Sequence, residues 1–291
     1  MEEEEQQKNI SHKCQSNDTN SNSQLQQQKE KTEEKETQQQ QETLENLKKQ
    51  KKQLGIEIFV DIDGTIFNDP SLHVAILSKI KKQSKKNYQE LINNQEFLNS
   101  ILETENMIRP GIKEKLLPFF EEMRKRFNFI HFSIFTSNRQ MESYQKIINQ
   151  LEKNLNIPQI FKSYHLASDY NEKNIKDIEL VSPYKYSYII DNNHTIKTDM
   201  VQNLIRVMTF QAPEYLSEQN RKYYQKYLSN QEIDEIIMYK NEKQVLNKNQ
   251  EINHIPNQER WLNEMESIIQ QINIIISDLI SQDEELQLKL M

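Results

Sequence analysis

Glycine is nearly missing from this chain. Its 291 residues hold three, and one of them, Gly64, directly follows an Asp-x-Asp. A sequence so sparing of glycine places it for a backbone need, either a tight turn or the close approach of a ligand. Cysteine is scarcer still. The single Cys14 excludes an internal disulfide and any cysteine-based metal site, which fits a reducing compartment. No apolar run approaches the length of a transmembrane helix. The start, Met1-Glu2-Glu3-Glu4-Glu5, is acidic and lacks a hydrophobic core, so it does not read as a signal peptide or mitochondrial presequence. The expected location is therefore cytosol or nucleus. Positive charge is not in excess: a net charge of −7 gives no support for nucleic-acid binding. Hydrophobic residues make up 35%, low for a chain folded from end to end.

That deficit is local. Residues 1–52 are Gln, Glu, Lys, Ser and Asn, including the run Gln38-Gln39-Gln40-Gln41. They bury too little surface to offset chain entropy, and we expect a solvated tail, with a docking role as the alternative. From residue 53 to 283 the composition becomes that of one domain, followed by a short tail over 284–291. Within it, apolar, β-prone runs alternate with segments of helical periodicity. Strands are expected at Ile56–Val60, Phe129–Thr136, Ile160–Leu166, Tyr186–Asp191 and Leu204–Phe210. A helical insert, of two helices, is expected over 72–105. Helices are also expected from Ile112 to Phe127, where Pro118 kinks the helix or opens its second part, and from Met141 to Leu151. Residues 214–256 give no clear pattern. A last amphipathic helix spans 257–281, with Trp261, Met265, Ile268, Ile272 and Ile276 on its apolar face. That face either packs on the sheet or meets a partner helix through 261–280, as in a coiled coil. Strands alternating with helices predict an α/β fold, a Rossmann-like and mostly parallel sheet flanked by helices.

Four of the expected strand ends or links carry polar groups: Asp61 and Asp63, Thr136 with Ser137, Lys176 (with Lys173 as runner-up), and Asp191 with Asn192. Strands of one parallel sheet present their carboxyl ends to one edge, so groups more than a hundred residues apart can converge there. Two nearby carboxylates repel unless a proton or cation lies between them, and the pair Asp61 and Asp63 invites Mg²⁺. Each residue has a plainer alternative. The acids can end a strand in an ordinary turn, Thr136 can cap the next helix, and Lys176 can be a solvated surface lysine.

The order Asp61-Ile62-Asp63-Gly64-Thr65, then a hydrophobic strand ending in Thr136, then Lys176, then a strand ending in Asp191, resembles the motifs of the haloacid-dehalogenase-like phosphatases. Within that superfamily it looks most like the NLI-interacting-factor-like and RNA polymerase II C-terminal-domain phosphatases. Arg109-Pro110-Gly111, Ile134-Phe135-Thr136-Ser137, Lys176-Asp177 and Ile189-Ile190-Asp191-Asn192 carry that likeness. The chain departs from the group at Gly64, where a Glu is usual, and at Asn193-His194, which replace a Ser-Pro. It also departs in an insert that reads as helical rather than β.

The resemblance implies a Mg²⁺-dependent phosphoester hydrolase. Asp61 would be the nucleophile and Asp63 the general acid and base. Asp61, Asp191 and the carbonyl of Asp63 would hold Mg²⁺, with Asn192 beside them. Thr136 and Lys176 would bind the phosphoryl oxygens, and Gly64, Thr65 and Ser137 would lie toward the substrate. The implied substrate is a phosphoprotein. A small-molecule phosphatase on the same fold and a non-catalytic interaction protein are the two alternatives.

Overall fold

A computed structural model describes residues 52–68, 71–167, 178, 180–192, 203–210, 215–248 and 258–290. The polar leader, Lys173, Lys176 and His194 lie outside them. Five strands form one sheet in the order β3-β2-β1-β4-β5. They are β1 (Gln53–Val60), β2 (Ile130–Thr136), β3 (Phe161–Leu166), β4 (Tyr184–Asp191) and β5 (Leu204–Arg206), and every pairing is parallel. The expected α/β sheet is thus present. β1 is central because it is buried along most of its length: Ile56, Ile58, Phe59 and Val60 are all within 1% of full burial.

The register sets the site. Val60 lies opposite Ile134 on one side and Ile190 on the other, so β1, β2 and β4 end nearly level. The chain order runs outward from β1 in both directions, which makes the gap between β1 and β4 the switch point of the sheet, where α/β proteins take their ligands. β5 is shorter than the sequence suggests. Val207 N–H still donates to the Asp191 carbonyl of β4 (3.1 Å), but beyond it Met208 N–H donates to Glu264 (2.5 Å) and Phe210 N–H to the Gly64 carbonyl (2.8 Å).

The two faces of the sheet differ. One packs Ile56, Ile58, Val60, Ile130, Phe132 and Ile134 into the main core. The other carries Phe59, Phe135 and Ile189 beside a buried polar chain. There Glu57 accepts from Ser133 and Ser182, each at 2.6 Å, and Ser163 donates to Ser133 at 2.7 Å. Burial pushes the Glu57 carboxyl pKa up, against the pull of those two hydroxyls.

The insert forms three helices rather than two: α1 (Leu72–Gln83), α2 (Lys85–Ile92) and α3 (Gln95–Leu102). Ser84 and Asn94 are the reason. Each side chain accepts a backbone N–H of the helix that follows it, Asn87 (3.3 Å) and Phe97 (3.0 Å), and so ends one helix and starts another. The insert closes at its base, where Asn68 N–H donates to the Met107 carbonyl and Arg109 N–H to the Ile66 carbonyl, both at 2.9 Å.

A π-turn (Ile112–Leu116) follows and leads into α4 (Leu117–Arg126), with Pro118 in its first turn, where a missing N–H is harmless. Next come α5 (Met141–Asn154), α6 (Glu218–Tyr224), α7 (Asn230–Lys248), α8 (Gln258–Gln282) and α9 (Glu284–Leu288). In α8 the face of Trp261, Met265, Ile268, Ile272 and Ile276 is covered by its own chain. Residues 284–288, expected within a tail, are instead a helix. Asp283 caps it, accepting from Leu286 N–H at 3.3 Å, and also accepts from Lys185 and Tyr186, while Leu286 is fully buried. Among the described residues no helix is long and apolar enough to cross a membrane.

Candidate active site

β1 delivers Asp61 to the switch point. Asp61 N–H donates to the Ile190 carbonyl (2.9 Å), which sets it alongside Asp191, the last residue of β4. Both acids are buried, Asp61 to 4% exposure and Asp191 to 0%. After Asp61 the chain turns sharply. The Ile62 carbonyl accepts from Ile66 (3.0 Å) and Phe67 (3.1 Å), and Gly64 N–H closes back on the Phe67 carbonyl (2.8 Å).

Gly64 has φ +73°, a left-handed backbone that favours glycine. A Cβ there would meet the Asn192 amide nitrogen at 2.4 Å. The backbone of Gly64 is engaged on both sides. Its N–H is spent in the turn, and its carbonyl accepts from Phe210 N–H (2.8 Å) and from Arg109 Nη1 (3.2 Å). Gly64 shapes the loop so that Asn192 can come close.

The two acids of the Asp-x-Asp have separate surroundings. The Asp63 carboxylate is held from α5 and from the loop after β2: Oδ1 accepts from the Tyr144 hydroxyl, and Oδ2 accepts from Asn138 Nδ2 (2.7 Å). Among the described residues, accordingly, no three His, Cys, Asp or Glu side chains converge. The Asp63 backbone carbonyl remains on the Asp61 side, where it meets Asn192.

The Asn192 amide can be placed two ways round, and its neighbours distinguish them. With Nδ2 toward the acids it donates to the Asp63 carbonyl (3.0 Å) and to Asp61 Oδ2 (3.1 Å), and Oδ1 accepts from Thr209 (3.1 Å). Turned over, Oδ1 takes that place, Thr65 Oγ1 donates to it (3.3 Å), and Nδ2 donates to Thr209 (3.1 Å). The second orientation sets an amide oxygen against a carboxylate and a carbonyl, so the first is the one these surroundings satisfy. Asp61, Asp191 and the Asp63 carbonyl offer hard oxygens, the donor type Mg²⁺ takes, so the residues present fit it.

Thr136 ends β2 and is 1% exposed. Its Oγ1 accepts from Asn138 N–H (3.1 Å) within the loop, while the hydroxyl proton stays available to a ligand; the next helix, from Met141, has Gln140 and not Thr136 at its N-cap. Ser137 is next in the loop and half-buried. The site thus brings Asp61, Asp63, Thr65, Asp191 and Asn192 together, with Thr136 held to the same loop as Asn138.

Four groups escaped the sequence reading. Tyr144 and Asn138 hold Asp63, and Thr209 holds Asn192. Glu264, on α8, pairs with the buried Arg109. Arg109 is 1% exposed; it donates to the carbonyls of Gly64 and Met208 and lies 4.7 Å from the Trp261 ring centre. Burial lowers its pKa and Glu264 opposes that fall. Only the tyrosine carried a usable signal, since a buried phenol on an apolar stripe needs a partner for its hydroxyl.

No protein-family model matches the chain, and no curated protein matches it. Among solved structures it is similar to that of an arginine-to-alanine variant of the fission yeast RNA polymerase II CTD phosphatase Fcp1 bound to beryllium fluoride. Identity is 16% over 83% of this chain and 69% of that chain, with a TM-score of 0.35.

Proposed function

We propose that this chain is a Mg²⁺-dependent phosphoester hydrolase with Asp61 as its nucleophile, acting on phosphoserine or phosphothreonine in proteins. One observation carries this reading: the two acids of the Asp-x-Asp are held apart for different work. Asp61 lies at the switch point beside Asp191 and Asn192, while the Asp63 carboxylate is fastened to Asn138 and Tyr144. A cation site needs the first arrangement, and a proton donor that is not itself a metal ligand needs the second.

In the first step a carboxylate oxygen of Asp61 bonds to phosphorus and the ester P–O bond breaks. The leaving oxygen takes a proton from the Asp63 carboxyl, leaving an acyl phosphate on Asp61. In the second step a water attacks phosphorus and gives its proton to Asp63. The Asp61–phosphorus bond breaks, inorganic phosphate leaves, and both acids return to their starting state. Asp61, Asp191, the Asp63 carbonyl and Asn192 would hold Mg²⁺, whose charge offsets the repulsion between carboxylate and phosphate. The Thr136 hydroxyl would donate to a phosphoryl oxygen, and Lys176 is proposed for the same task.

A protein substrate is favoured by how the insert is fastened. Tyr88 bonds Ser143 (2.9 Å), Lys81 donates to Glu142 (2.7 Å) and Gln140 donates to Ser78 (3.1 Å), so α1 and α2 are tied to α5. A lid that closes over a metabolite has to move, and these bonds hold the insert to α5.

The test is Asp61→Asn, which keeps shape and removes the attacking charge. With Mg²⁺ and a phosphoserine peptide, the wild type should release phosphate and the variant should not, at unchanged melting temperature. Normal turnover by Asp61→Asn would overturn the mechanism.

A further inference from the structure

We infer that Tyr144 is a positioning residue for leaving-group protonation, acting with Asn138 to fix the plane of the Asp63 carboxylate; this rests on the phosphatase reading above. Asp63 has one carboxylate and two duties, to give a proton to the leaving oxygen and to take one from water. Both duties need the carboxyl at a set angle to phosphorus, and an Asp side chain in a loop turns freely about χ2 unless something holds it.

Two donors from separate places hold it here, one on each oxygen. The Tyr144 hydroxyl bonds Oδ1 and Asn138 Nδ2 bonds Oδ2 at 2.7 Å. Neither donor can wander. Tyr144 is fully buried on α5, its ring stacked on Phe67 at 5.5 Å and 28°, and Phe67 belongs to the turn that follows Asp63. Asn138 has its own oxygen engaged, accepting from Gln140 N–H at 2.8 Å, which points its nitrogen at Asp63. The two donors are not equivalent. An amide N–H₂ only donates, whereas a phenol hydroxyl donates to a carboxylate and accepts from a carboxylic acid. Oδ1, the oxygen facing Tyr144, can therefore keep its partner in either role, as acceptor when ionised or as donor when protonated, whereas Asn138 can only donate to Oδ2. Tyr144 keeps Asp63 oriented through both halves of the cycle.

This role makes a prediction that a merely structural tyrosine does not. Tyr144→Phe deletes one hydroxyl and keeps the ring, the stack on Phe67 and the packing. Steady-state kinetics would compare two substrates on the full chain with Mg²⁺: p-nitrophenyl phosphate, whose leaving phenolate needs little help from a proton, and a phosphoserine peptide, whose leaving alkoxide needs one. General acid catalysis contributes about 10²–10⁴-fold, and misorienting the acid forfeits part of that. In kcat/KM, which reports the step in which the leaving group departs, the variant should lose about tenfold or more on the peptide and less than about threefold on the aryl ester. Asn138→Ala should show the same selectivity. Equal losses on the two substrates, or no loss on the peptide, would overturn the positioning role while leaving the phosphatase intact. If the wild type hydrolyses neither substrate, the phosphatase reading fails and the positioning role with it.

Discussion

Lowering the pH should destabilise this protein, in measurable part through one histidine. His73 is fully buried in α1, with Nδ1 bonded to the Tyr224 hydroxyl (2.7 Å) and Nε2 to Thr104 Oγ1 (3.0 Å). Burial pulls its pKa from 6.5 to about 3. The ring is therefore neutral in the fold, while the unfolded chain protonates it freely below 6.5. The sign follows: the stability is fully present above about pH 6.5 and is lost progressively as the pH falls from there toward about 3. Between about pH 7.5 and about pH 5 the unfolded state gains about 2 kcal/mol from this residue alone. That is a large share of a typical domain stability of roughly 5–15 kcal/mol. The assay is urea unfolding at both pH values for the wild type and for His73→Gln, which can still bond both neighbours but cannot ionise. His131 and His165 are present in both proteins and cancel in the difference. The wild type should lose about 2 kcal/mol more than the variant on acidification. Equal losses would show that His73 reaches water or holds a proton in the fold, and would refute the reasoning.

Three further outcomes are expected. Gly64→Ala forces a side chain into a left-handed φ of +73°, at a cost of about 1–2 kcal/mol, and pushes its Cβ against Asn192. Turnover should fall further than that loss of stability explains, by about a hundredfold, and a variant with normal kcat would show that Asn192 is not needed. Glu264→Ala leaves Arg109 buried without its carboxylate, and the urea midpoint should report a loss of about 3–5 kcal/mol; a change below about 1 kcal/mol would mean the guanidinium is satisfied by the carbonyls of Gly64 and Met208 alone. Chelation followed by dialysis should abolish phosphate release, with Mg²⁺ restoring it and Ca²⁺ doing so poorly, since Ca²⁺ takes more ligands at longer bonds; full activity after chelation would exclude a resident cation.

Strand ends were the legible part of this site. Asp61 and Asp191 stand out because an apolar run that stops at an acid has few other meanings in an alternating β and α pattern. Asn138 and Thr209 were not legible, since nothing in a loop announces which side chain will fold back on the motif. Tyr144 was visible but counted among the apolar residues of α5, where its ring belongs and its hydroxyl does not. Arg109 was noticed for its Pro-Gly sequel, yet its carboxylate partner lies 155 residues later, and pairing at that range is a property of the fold. The same holds for the insert, whose caps at Ser84 and Asn94 are local chemistry overlooked in favour of its apolar spacing. α6 and α7 were missed for want of pattern: Asn230–Lys248 carries no consistent apolar stripe to betray a helix.

The bond from Arg109 to Glu264 also has a bearing on how the protein is made. The turn after Asp61 is held through the Gly64 carbonyl by Arg109, and Arg109 is neutralised by a carboxylate on α8. A ribosome delivers these groups in order, at roughly 5–20 residues per second, so most of the sheet can leave the exit tunnel before Glu264 exists. Until then the guanidinium has no counter-charge and no reason to enter the core. The nascent chain should therefore hold the Asp61 loop unfinished, and a message cut short before the codon for Glu264 should yield a sheet whose central loop is not yet fixed. The loop that carries Asp61 is thus completed late in synthesis, by a residue 203 positions further along the chain.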